Sequence, residues 1–274
     1  MSGVLTRVAT GLVLAPLVIV AVLYLPPAAF AGLVSLMMLA AFWEWSRLSG
    51  LPNRPLRGMM MIVLAGLFAL LAWSPYAALP MVAMAACVFW LFALLWLRHA
   101  GFGAIDNWSH RTIKTVSGMI LLCGAWAGAV YVRDGLPTDG PYWLIACLTV
   151  IFGGDTLAYF TGRAFGRRKL APSISPGKTW AGLYGAVGGA LVVAAVAGWL
   201  LGLRGDRLTL WLALAVVCLL LSIMGDLFES LMKRHRQVKD SGRLFPGHGG
   251  VMDRGDSLFA ALPAFAVGLA WLLA

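Results

Sequence analysis

The sequence predicts an all-α, polytopic integral membrane protein with about nine transmembrane helices. Three observations carry this reading. Of 274 residues, 61% are hydrophobic and only 12% charged, against about 25% charged in an ordinary soluble domain. The apolar residues are gathered into runs, and crossing a hydrocarbon core of roughly 30 Å takes about 20 helical residues. The basic residues then fall almost wholly on alternate sides of those runs.

The runs cover about 9–25, 28–45, 58–73, 77–97, 115–132, 141–161, 179–203, 208–232 and 257–274. Each is read as a helix, because a lone strand would leave its backbone groups unpaired in lipid. With the N-terminus in the cytoplasm and all nine runs crossing, only Arg133, Arg204 and Arg207 of the 21 Lys and Arg face outward, leaving 18 inside. That bias places the N-terminus in the cytoplasm and the C-terminus outside, in an inner membrane. Removing or adding an early span would scramble the bias. Arg7, the first run and Ala29-Phe30-Ala31 together resemble a signal peptide with a cleavage site. The run is longer than a usual signal core and leads straight into a second span, so retention is expected.

The net charge of +10 is explained by topology, and no nucleic-acid partner is implied. Cys87, Cys123, Cys147 and Cys218 each lie within an apolar run with no metal-ligand or CxxC spacing, as small buried hydrophobes do. The chain reads as one membrane domain, 1–274. Within it, 1–140 form a lipid-side scaffold, and 141–274 carry the catalytic helices and cytoplasmic loops. Residues 98–114 show nothing that reads as chemistry. Residues 162–178 and 233–256 are dense in charge, glycine and proline.

The acidic residues are the sharper signal, since the chain has only 11. Asp155 stands seven residues before Gly162, about 10 Å below the cytoplasmic end of its span. Asp226 and Glu229 stand in the last turns of the eighth span. Carboxylates at membrane depth are costly, and they mark candidate sites that face a polar cavity; the plainer alternative is an ion pair with a neighbour such as Arg163. Ser222, Asp226, Glu229, Ser230 and Lys233 share one helical face. Asp155, Tyr159 and Arg163 form a shorter stripe on the sixth span. Two such seams could line one cavity.

The segment from Lys239 to Asp256 mixes glycines with Lys, Arg, His and Asp. Glycines let backbone N–H groups turn toward an anion. Asp240, Asp253 and Asp256 are hard oxygen ligands of the kind Mg²⁺ accepts. Asp256-Ser257 opens the last span, where a helix N-terminus favours phosphate and where Asp256 could equally be a plain cap. Gly177-Lys178-Thr179 ends like a P-loop, but Pro172 stands where that motif needs glycine, and no preceding strand is expected. Of the histidines, only His248, set between glycines, reads as a site residue.

These residues resemble the signature of the phosphatidate cytidylyltransferases, or CDP-diglyceride synthases. The pattern comprises Ser230, Lys233-Arg234, Lys239-Asp240, His248-Gly249-Gly250 and Asp253-Arg254-Gly255-Asp256. Upstream, Asp155-Thr156, Gly162-Arg163, Leu170-Ala171-Pro172, Ile174-Ser175-Pro176, Lys178-Thr179-Trp180 and Gly225-Asp226 follow the same family. The likeness is close over about 150–257 and only hydropathic before that. Gly255 departs where the family usually has a larger apolar residue, Gly177 where Lys is common, and Ala181 where Glu is common.

The resemblance implies transfer of a cytidylyl group from CTP to phosphatidic acid, giving CDP-diacylglycerol and pyrophosphate in phospholipid biosynthesis. It implies catalytic roles for Asp226, Lys239, Asp240, His248, Asp253 and Arg254. It implies substrate binding by Asp155, Ser175, Lys178, Thr179, Ser230, Lys233, Arg234, Gly249 and Gly250. Mg²⁺, with a possible second cation, would lie on Asp226, Asp253 and Asp256. The lipid phosphate is itself the nucleophile, so no activated Ser or Cys is needed. Two alternatives remain open on sequence: a CTP-dependent lipid or polyprenol kinase, and a transporter, against which the polar residues gather at one face rather than the midplane. Gly182, Gly185, Gly188 and Gly189 permit close helix packing, either within the chain or in a homodimer.

Overall fold

The computed structural model describes residues 2–136, 138–242 and 249–273, with side chains from Val13 onward. Among these residues nine α-helices form: α1 (Ser2–Tyr24), α2 (Pro27–Ser49), α3 (Arg54–Trp73), α4 (Leu79–Arg98), α5 (Trp108–Val130), α6 (Gly140–Phe165), α7 (Trp180–Leu200), α8 (Gly205–His235) and α9 (Met252–Leu272). Eight, α2 to α9, are long and apolar enough to cross a membrane, and the described apolar part of α1 is Val13–Tyr24. The chain is an all-α, multi-pass membrane protein.

Local chemistry sets the helix ends. Asn53 accepts from the Leu56 N–H to start α3, and Asn107 accepts from the His110 N–H to start α5. α2 closes on Gly50 in the left-handed region, φ 89°, where glycine carries no Cβ penalty. α8 has 31 residues and is therefore about 46 Å long, well beyond a core of roughly 30 Å. A helix of that length spans with tilt or overhang, and its last turns carry the polar run from Asp226 to His235.

One segment differs from the all-helical expectation. The loop between α6 and α7 contains two short antiparallel strands, β1 (Lys169–Ala171) and β2 (Ser175–Thr179), with Lys169 opposite Thr179 and Ala171 opposite Ser175. Their brevity, Pro176 within β2 and Pro172 in the turn between them hide them from a periodicity reading. The hairpin hands over directly to α7, because the Thr179 hydroxyl accepts from the Gly182 N–H at 3.1 Å.

Close approaches of backbone hold the helices together along their length. A Cβ at Gly225 would collide with the Asp256 carbonyl of α9, and a Cβ at Gly128 would come within 2.6 Å of the Leu262 carbonyl. The seventh-span glycines are used within the chain: Gly182 lies against Ala158 and Gly162, Gly185 against Thr161 and Gly189 against Leu157, while Gly188 faces open space. Phe228 on α8 is ringed by Trp45, Phe89, Trp90 and Trp96 at centroid distances of 6.0, 6.0, 5.8 and 5.4 Å. This aromatic cluster ties α2, α4 and α8 on the side of α8 away from Asp226.

Candidate active site

The α8 stripe does form one face, but the structure divides it into two groups of contacts. The first is built on Asp226, the residue after the Gly225 crossing. Lys178 of β2 reaches across to place Nζ 2.7 Å from Asp226 Oδ2 and 3.3 Å from the Ile223 carbonyl. Ser230 Oγ donates to Asp226 Oδ1 at 3.3 Å. Asp155 on α6 is exposed and feels the charges of Lys178, Asp226 and Arg254. Asp256 on α9 feels Asp226 and Lys178, and its Oδ1 accepts from the Ser257 N–H at 2.8 Å. One lysine thus pairs with Asp226, and two further carboxylates, on α6 and α9, lie within reach of its charge.

The second group is built on Asp253. Its Oδ1 accepts from Lys233 Nζ at 2.8 Å, and its Oδ2 accepts from the Gly250 N–H at 2.8 Å and the Ser241 hydroxyl at 2.9 Å. The Ser241 N–H lies 3.2 and 3.0 Å from the two oxygens. Lys233 Nζ also donates to Glu229 Oε2 at 2.7 Å, while Glu229 Oε1 is buried with no partner among the described residues.

The other expected site residues fall variously. Arg234 donates through Nε to the Ile174 carbonyl at 3.2 Å and so pins the hairpin to α8. Ser175 lies in β2, and Thr179 is buried as the α7 cap. Lys239, Asp240 and Arg254 are exposed. Gly249 adopts φ 82° and Gly250 is buried. His248 lies outside the described residues. Arg163 donates to the Tyr159 hydroxyl at 3.2 Å, so it does not neutralise Asp155.

A divalent cation is a question of donor chemistry. Among the described residues there is no group of three or more His, Cys, Asp or Glu already converged on one point. Asp226 and Asp256, with Asp155 beside them, fit such an ion: they carry surplus negative charge, and each carboxylate keeps spare lone pairs. Asp253 differs, since five donor contacts already occupy its two oxygens.

Sequence reasoning passed over Glu44. This α2 residue is 5% exposed, and its carboxylate accepts from Ser241, Val251 and Met252. The available signal was the one used for Asp155, a carboxylate within an apolar span. Trp45 beside it donates to the Lys114 carbonyl at 2.7 Å. On the same end, Asp106 binds Arg111 at 2.7 Å and Arg236 at 3.1 Å.

Comparison with known proteins finds relatives over nearly the whole chain. The profile of the cytidylyltransferase family matches residues 5–272. A phosphatidate cytidylyltransferase of Pseudomonas aeruginosa is 38% identical over 266 residues, covering 97% of this chain and 96% of the relative. One from Haemophilus influenzae is 34% identical, covering 95% and 96%. One from Bacillus subtilis is 32% identical, covering 94% of each.

Proposed function

The chain belongs to the cytidylyltransferase family, and on that premise we propose that it transfers the cytidylyl group of CTP to phosphatidic acid. The observation that carries the reading is the ion pair of Lys178 with Asp226 on α8, with the Asp155 and Asp256 carboxylates of α6 and α9 within reach of its charges. There a lipid headgroup can meet a water-borne nucleotide while its acyl chains stay in the bilayer. A phosphate oxygen of phosphatidic acid attacks the α-phosphorus of CTP. The new P–O bond gives CDP-diacylglycerol, and the bond to the β-phosphate breaks to release pyrophosphate.

No side chain is consumed in this exchange, so the protein's work is positioning and charge compensation. Lys178 and the exposed Arg254 and Lys239 supply cationic contacts to phosphate oxygens. Mg²⁺, held by Asp226 and Asp256 with Asp155 beside them, would supply further neutralisation of the phosphates. For Asp253 to join that set, Lys233 or Ser241 must first release it. Asp240, His248, Gly249 and Gly250 would present the 239–256 segment to the nucleotide.

The purified protein, given CTP, Mg²⁺ and a panel of lipid phosphates and polyprenols, is expected to form CDP-diacylglycerol and pyrophosphate with phosphatidic acid. Release of CDP with a phosphorylated lipid would instead make it a kinase. The reaction faces the cytoplasm of an inner membrane in this reading, supported by the basic-residue bias. Single cysteines at Asp240 and Asp206 in a cysteine-free variant test it: in intact cells an impermeant maleimide should label position 206 and not 240. The proposal that two chains pair has support on α7 only at Gly188, whose side is open.

A further inference from the structure

Both sides of residues 243–248 are gathered onto one carboxylate from the other half of the chain. Glu44 Oε2 accepts from the Ser241 hydroxyl at 3.0 Å and the Met252 N–H at 2.8 Å, and Oε1 accepts from the Val251 N–H at 3.1 Å. Gly242 and Gly250 pass so close that a Cβ at either would collide with the carboxylate. α9 has no side-chain cap of its own. Glu44 therefore supplies, from α2, the acceptor and negative charge that a helix N-terminus favours.

The contacts continue toward the phosphate-binding residues. The Ser241 hydroxyl also lies 2.9 Å from Asp253, which binds Lys233. A hydroxyl carries one proton, so Ser241 serves Glu44 or Asp253 at any moment, not both. Moving Glu44 would change what Ser241 offers Asp253, and through Asp253 the seat of Lys233.

We propose that Glu44 is a positioning residue: it fixes the two ends of the Ser241–Met252 segment, and through Ser241 sets Asp253 and Lys233 for the nucleotide. This rests on the reading that the 239–256 segment handles CTP phosphates. A side chain that only glued α2 to α9 would affect folding, and would treat both substrates alike.

The test uses the full chain in detergent, with initial rates against CTP and against phosphatidic acid, and thermal melting beside them. Glu44→Gln should lower kcat/KM for CTP tenfold or more and leave KM for phosphatidic acid within twofold. Glu44→Asp, which keeps the charge at shorter reach, should recover at least threefold over Gln. Gly242→Ala, which crowds an intact Glu44, should reproduce the CTP defect, yet change activity less than twofold in a Glu44→Ala background. That pair also decides the matter if Glu44→Gln folds poorly. Wild-type kcat/KM for CTP in Glu44→Gln, or a parallel fall for both substrates that tracks the folded fraction, would overturn the proposal. Arg254→Ala separates the two levels. If it loses activity while Glu44→Gln does not, only the role of Glu44 fails; if it too keeps full activity, the phosphate-binding reading fails.

Discussion

Asp226 and Glu229 are less than one turn apart on α8, yet they belong to carboxylate groups of opposite character. Asp226, whose side chain is 34% exposed, goes with the exposed Asp155 and the half-buried Asp256. Its bonds are one lysine and one long serine contact. Glu229, Asp253 and Glu44 lie inward, with Glu229 wholly buried and Glu44 and Asp253 bound to backbone N–H groups of the α9 entry. Exposed acceptors with spare lone pairs can trade partners for a ligand at small cost. Buried ones held by several donors, as Glu44 and Asp253 are, cannot, because losing a donor leaves desolvated charge. The first group is suited to bind, and the second to hold.

The largest expected effect breaks the first group. Asp226→Asn keeps the shape and one acceptor but removes the charge, and should cut kcat/KM at least 1000-fold, about 4 kcal/mol, with melting in detergent little changed. Residual activity should demand more Mg²⁺. Asp253→Asn tests the second group. Removing one of the two carboxylates that Lys233 pairs with, and the charge that the Gly250 and Ser241 donors face, should cost about 3 kcal/mol of stability, seen as a melting temperature lowered by several degrees together with lost activity. If Asp253→Asn instead melts normally and shifts only the Mg²⁺ requirement, the contrast between the groups collapses and Asp253 joins the metal set. The smallest effect is expected at Asp106, an exposed pair outside both groups. The hydrogen bond from Arg111 holds its carboxyl below the usual carboxylate range. Its contribution is therefore present above about pH 4, the unfolded value, and fades as pH falls below that. Asp106→Asn should change stability at neutral pH by about 1 kcal/mol or less and leave kcat/KM unaltered.

The membrane helices were legible because each follows from a long local run with no competing signal. Asp155 and Asp226 were legible for a related reason, since a carboxylate on an apolar helix is conspicuous. The hairpin was not, because three and five residues interrupted by proline carry no period, yet it is what brings Lys178 to Asp226. Ser230 and Lys233 were placed on one stripe by helical geometry, but nothing local says that Ser230 turns to Asp226 while Lys233 turns to Asp253. Arg234 and Thr179 show the limit of motif reading. Their positions match a signature, and in the fold their side chains hold the hairpin and start α7. Glu44 was hidden by distance, since its serine partner lies 197 residues away.

That separation also bears on how the protein is made. Glu44 reaches Met252 across 208 residues. At a synthesis rate of about 5–20 residues per second, roughly 10–40 s elapse between the two leaving the ribosome. During that time a carboxylate about 7.5 Å from the end of α2 has none of the donors that later satisfy it. α2 must wait with this end near water, and the bundle can draw it inward only when its final helix arrives. A nascent chain stopped before α9 would thus lack more than its last span: its second span would be left carrying an unanswered charge, a mark by which an unfinished molecule differs from a finished one.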